Sequence, residues 1–145
     1  MATKTAKDEL SIVRTEHINA THLREGFAAF SRGDLDTVRA LLADNCSWTV
    51  AGTGPLAGTV TGWTQIEKLF GRIIDITNGT VSLSVISCLA DDTHAVAVYD
   101  VTSTIKGATE THRNVMVQEI GADGRATVVH DMALDQAAAD AFISR

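Results

Sequence analysis

The chain has 145 residues, of which 45% are hydrophobic and 21% charged, with a formal net charge of −6. That balance is that of a folded globular protein rather than a disordered or fibrous one, and the length suits one domain with a single core. An acidic chain without a Lys/Arg cluster argues against a nucleic-acid surface, and no apolar run approaches the roughly 20 residues that span a bilayer.

Residues 1–10 lack the apolar core of a signal peptide, so the cytoplasm is the expected compartment and the polar tip is expected to fray. We expect a partly flexible extension over residues 1–15 and a single domain over 16–145. Residues 8–31 carry a helical pattern, in which Ala20, Leu23, Phe27 and Phe30 recur at three- and four-residue steps. Asn19 or Thr21 can cap a second start within it, which would make residues 8–16 a separate short helix. Gly33 stops this helix and Asp34 caps the next, over residues 35–42, with Leu35, Val38, Leu41 and Leu42 inward.

Residues 46–50 alternate as a strand, and 51–58 read as a long turn. Its glycines lack the Gly-Lys-Ser/Thr ending of a phosphate loop. After an extended piece at 59–61, a helix starts at Trp63 or Thr64 and runs to Ile76. Ile66, Leu69, Phe70, Ile73 and Ile74 give it a broad apolar face that implies burial on a sheet. From Thr80 the period changes to two, over segments 80–90, 94–106, 109–120 and 125–134. Their short polar or glycine-containing connections favour antiparallel pairing. Asp135 then caps a last short helix, 136–144, whose Phe142 can dock. Helices followed by an antiparallel meander define an α+β domain.

The final strand holds the most suggestive residues, a His130-Asp131 pair inside an apolar run. Alternation sends the two to opposite faces, so they cannot serve one site. Asp131 shares its face with Thr127, Val129 and Ala133. Among such neighbours a carboxylate loses water, its pKa rises, and it can transfer protons; otherwise it sits in water near a strand end. Asp100 shares a face with Val96, Val98, Thr102 and Thr104. It is a second carboxylate for the same site if that face is inward, and a solvated one if not. Tyr99 is on the opposite face, so only one of the two can point in.

His112, Asn114, Met116 and Gln118 share one face of the preceding strand. They could bind substrate and donate to its oxygen, or form a polar strand mouth. Phe27, Phe30 and Phe70 are core residues with a possible role as pocket walls. Trp63 is assigned to the core. No histidine pair has metal-ligand spacing, and His17 and His22, five apart, fall on different helix faces. Cys46 and Cys88 lie in separate apolar segments and read as reduced core residues.

One resemblance orders these signals. The run Phe30-Ser31-Arg32-Gly33-Asp34-Leu35-Asp36, then Leu41-Leu42-Ala43-Asp44-Asn45, Trp48-Thr49-Val50, Gly54-Pro55-Leu56-Ala57-Gly58 and Gly62 resembles the SnoaL-like branch of the nuclear-transport-factor-2-like superfamily, across roughly residues 16–142. The resemblance implies a cone-shaped, curved mixed β-sheet with three N-terminal helices packed on it, a deep apolar pocket and a homodimer. Trp48 falls where such proteins line the pocket. The general base of ketosteroid isomerase corresponds here to Val50, and its tyrosine and acid donors to Gly26 and a position near Met116, so that apparatus is missing. Asp131 matches the pocket aspartate of SnoaL-type cyclases and limonene-type epoxide hydrolases. The arginine of those hydrolases has no counterpart in the strand holding Tyr99 and Asp100.

The resulting expectation is a cofactor-independent enzyme without a metal, acting on a small apolar cyclic or aromatic molecule by isomerase, cyclase or lyase chemistry. Asp131 is the base, His112, Asn114 or Tyr99 the oxyanion donor, and Asp100 a candidate second carboxylate. Trp48, Met116, Phe27, Phe30 and Phe70 would bind the substrate. The alternatives are limonene-type epoxide hydrolysis and a non-catalytic dimer that binds a small hydrophobic ligand.

Overall fold

The structure, a computed structural model, describes residues 15–145. The expected flexible tip and the helical pattern over 8–14 lie outside the described residues. Helix α1 (Ile18–Ser31) buries Ala20, Leu23 and Phe27, as its spacing predicts. Its cap is neither Asn19 nor Thr21 but His17, whose Nδ1 accepts from the Asn19 backbone N–H at 3.1 Å. Both expected caps are engaged elsewhere. The Asn19 amide donates to the Asp91 carbonyl at 3.0 Å, and Thr21 donates to Glu16 at 2.8 Å.

Gly33, at φ +75°, ends α1, and Asp34 caps helix α2 (Leu35–Ala40) by accepting from the Thr37 N–H at 3.1 Å. α2 is shorter than its apolar spacing suggests because Leu42 already pairs with Ala126 in the sheet. Strand β1 (Leu42–Val50) therefore begins four residues before the expected Cys46. Strand β2 (Gly58–Thr61) folds back on β1. Helix α3 (Trp63–Ile76) buries Ile66, Leu69 and Phe70 against the sheet, but Ile74 is 43% exposed and leaves the expected apolar face.

Strands β3 (Ser82–Ala90), β4 (His94–Ile105), β5 (Ala108–Ile120) and β6 (Ala126–Ala133) follow as an antiparallel meander, within one or two residues of the predicted ends. Helix α4 (Gln136–Ile143) starts at Asp135, which accepts from the Ala138 N–H at 3.1 Å, and buries Phe142. The sheet order is β2-β1-β6-β5-β4-β3, with β1 and β6 parallel and every other pair antiparallel.

Register shifts interrupt the β1–β6, β3–β4 and β5–β6 ladders. Such irregularities bend strands and increase twist, which lets one sheet curl around a core. The concave face carries Trp48, Ala97, Tyr99, Met116 and Val129, packed against α1 and α3. No described helix is long and apolar enough to cross a membrane.

Candidate functional site

The alternation of β4, β5 and β6 decides which side chains meet inside the cone. On β4, Ala95, Ala97 and Tyr99 are buried; on β6, Val129 is buried and Asp131 points the same way. The inward set of β5 is His112, Asn114, Met116 and Gln118. These faces and the helices enclose a cavity of about 230 Å³. An apolar cavity of roughly 150 Å³ holds benzene, so this one has room for a somewhat larger cyclic molecule.

Its walls are mainly aromatic. Phe27 packs on Tyr99 with ring centroids 4.7 Å apart, while Phe30 and Trp48 each meet Phe70 in a T-shaped contact at 5.2 Å. Phe27, Phe30, Trp48, Phe70 and Met116 all line the cavity, whereas Trp63 packs behind Phe70 at 6.2 Å.

The polar centre is a short relay. The Tyr99 hydroxyl donates to Asp131 Oδ1 at 2.5 Å, and the Asn114 amide donates to the Tyr99 oxygen at 3.4 Å. Asp131 and Tyr99 are 32 residues apart in sequence and on strands separated by β5, so only the curled sheet brings them together. Burial pushes the Asp131 carboxyl up to about 6, and the Tyr99 hydroxyl and the nearby Asn114 amide pull it back in part. Tyr99, 2% exposed, is held well above its ordinary value by burial, by the Asp131 charge and by the bond it donates. The tyrosine therefore stays protonated and points its hydroxyl hydrogen at the carboxylate, so it positions Asp131 and has no second hydrogen for a substrate oxyanion.

His112 also faces the cavity, with Nε2 3.0 Å from Glu110 Oε1 and its ring 5.4 Å from that of Phe142. With Nε2–H donated to Glu110, a neutral ring offers Nδ1 as acceptor and a protonated ring offers Nδ1–H as donor.

Asp100 does not join this group. Parity puts it on the outer face of β4, where Arg113 grips it through Nε–Oδ1 and Nη2–Oδ2 bonds of 2.9 and 3.1 Å. The Arg113 guanidinium holds its carboxyl below the usual range. Of the two readings open for Asp100 the solvent-facing one holds, because Tyr99 takes the inward position and its neighbour must face out.

Two further residues, one behind the cavity wall and one on it, belong to the site. Glu110 orients His112, and the signal for it was its place two residues away on the same strand face. By its spacing to other histidines, His22 is no metal ligand. Yet positions 19, 22, 23, 26, 27 and 30 form one helical stripe, and all six line the cavity.

The rim is built by the 51–58 loop, α4 and the end of β6. Asp140 accepts from the Thr53 backbone N–H at 3.1 Å and from Gln136 at 3.0 Å, while Gln136 accepts from the Ala133 N–H at 2.9 Å. Leu56 and Ala57 of that loop, with Ile143 of α4, complete the lining.

Comparison with known proteins agrees with this architecture. Bal32a, from a soil-derived mobile gene cassette, is 30% identical and superposes with a TM-score of 0.81, over 88% of this chain and 96% of that one. An NTF2-like protein from Burkholderia pseudomallei is 25% identical with a TM-score of 0.73, over 88% and 98% of the two chains. The Mycobacterium tuberculosis protein Rv0034 is 27% identical over 129 residues, 88% of this chain and 98% of that one. The profile of the SnoaL-like domain matches residues 23–133, from the middle of α1 to the end of β6, and the chain belongs to the SnoaL-like family of the nuclear-transport-factor-2-like superfamily.

Proposed function

We propose that the chain is a cofactor-independent small-molecule enzyme in which Asp131 moves a proton on an apolar cyclic substrate, in isomerase, cyclase or lyase type chemistry. One observation carries this reading: a carboxylate deep in the cone, raised to about 6 by burial, faces an aromatic-walled cavity and is held at Oδ1 by Tyr99. Such a base is largely ionised at neutral pH and is stronger than an ordinary carboxylate.

Asp131 Oδ2 takes the proton from a carbon beside a substrate carbonyl. The C–H electron pair forms the new C=C bond, and the carbonyl pair moves onto oxygen as an enolate. The second N–H of Asn114 donates to that oxygen. Returning the proton to another carbon is isomerisation; attack of the enolate on a second carbonyl is cyclisation; expulsion of a β-substituent is elimination. Epoxide hydrolysis of the limonene type has less support, since Arg113 and Asp100 engage each other on the outer face.

The test is hydrogen exchange of 2-tetralone in D₂O, followed by NMR, because it reports proton removal whichever reaction completes the cycle. We expect exchange above buffer that rises with pH through about 6 and then levels, as Asp131 ionises. Asp131→Asn should lower it by about 10²- to 10⁴-fold. Undiminished exchange in that variant overturns the assignment.

A further inference from the structure

Among the described residues, two buried side-chain polar atoms lack a hydrogen-bond partner, His22 Nδ1 and Asn114 Oδ1. Both belong to residues that line the cavity. Buried polar groups in folded proteins are nearly always paired, so a pair of orphans on one cavity describes what the cavity is built to receive.

The orientation of Asn114 is fixed by its neighbours. The single Tyr99 hydroxyl proton goes to Asp131, so the amide must present Nδ2–H to the tyrosine oxygen, which leaves Oδ1 facing a donor that the protein does not supply. His22 lies one turn beyond Asn19, whose amide ties this part of α1 to the Asp91 carbonyl. Its Nδ1 donates or accepts according to tautomer.

The two orphans occupy separate stations. His22 lies five residues before Phe27 on α1, about 7.5 Å of helical rise. Phe27 packs on Tyr99, whose hydroxyl meets Asn114. Leu23, Phe27 and Met116, all cavity-lining, give the space between them an apolar wall.

We propose that the cavity takes a flat two-ring molecule with hydrogen-bonding groups at opposite ends, a hydroxyl that donates to Asn114 Oδ1 beside Asp131 and a second hydroxyl or carbonyl paired with His22 Nδ1. This rests on the site assigned above and names its ligand class: a dioxygenated bicyclic aromatic or its keto tautomer. His22 is a binding residue that sets which ligands are accepted.

The probes are 2-naphthol and 2,6-dihydroxynaphthalene, titrated calorimetrically into the full chain. We expect the diol to bind about tenfold more tightly, the ordinary effect of one added hydrogen bond. His22→Phe should erase the preference for the diol over 2-naphthol, and His22→Gln should restore part of it. In the unsubstituted protein, the diol and not 2-naphthol should move the ¹⁵N resonance of His22 Nδ1, so the inference stays testable if a variant misfolds. Equal affinities for the two probes, or an unmoved His22 resonance, overturn it. Loss of tetralone exchange with the diol preference intact would remove the catalytic reading and leave this one standing.

Discussion

At Asp131 the burial that makes the carboxylate basic also makes its charge costly to the fold. The folded chain binds this proton more tightly than the unfolded chain does, because the carboxyl rises from 3.8 to about 6. The stabilisation from the protonated form is complete below about pH 4 and is lost as the pH climbs through about 6; over the full rise it amounts to about 3 kcal/mol. Asp131→Asn removes the charge and keeps the shape. Urea unfolding at pH 8 should show the variant about 1–3 kcal/mol more stable, with the gain vanishing towards pH 4. Tyr99→Phe acts in the other direction on the same group. Without the donated bond the carboxyl rises further, so the midpoint of the tetralone exchange profile should move above 6 and the plateau fall. Asp100→Asn, confined to the outer face, should leave exchange unchanged.

Among the elements, the rim joins residues distant in sequence through few bonds. Gly52 sits at φ +96°, and a Cβ there would run into the Asp140 carboxylate and the Gln136 amide. Gly52→Ala should therefore cost about 1–3 kcal/mol in thermal or denaturant unfolding, from backbone strain and from separating the 51–58 loop from α4. Legibility differs among elements for a related reason. The caps at Asp34 and Asp135 could be read from sequence because each bonds an N–H three residues ahead. The start of α1 could not, because Asn19 is drawn to a carbonyl 72 residues away and leaves the cap to His17. Likewise β1 starts early because β6 pairs with Leu42, a demand invisible in the local apolar spacing of α2.

For the molecule as a whole, the convex side of the sheet carries exposed apolar residues. Cross-strand pairing aligns Leu89, Val96 and Val117 in one outer row and Val98, Val115 and Met132 in the next. Leu89 is 67% exposed, Met132 36% and Leu134 66%. The neighbouring Asp100–Arg113 pair cancels its own charge, so that row adds little repulsion between two copies of this −6 chain. Sedimentation at micromolar concentration should show a dimer, and Val115→Glu should dissociate it; a clean monomer for the unsubstituted chain would refute the pairing.

The sequence alone determined what depends on near neighbours: the period that separates helices from strands, the caps at Asp34 and Asp135, and the alternation that parts His130 from Asp131. It also carried the order of motifs that resembles the SnoaL-like family. Which strand faces turn inward, the parallel seam between β1 and β6, and the meeting of Tyr99, Asn114 and Asp131 across three strands were decided by the tertiary structure. Alternation sets two faces without naming the inner one, and pairing between distant strands is settled only when the sheet curls around its core.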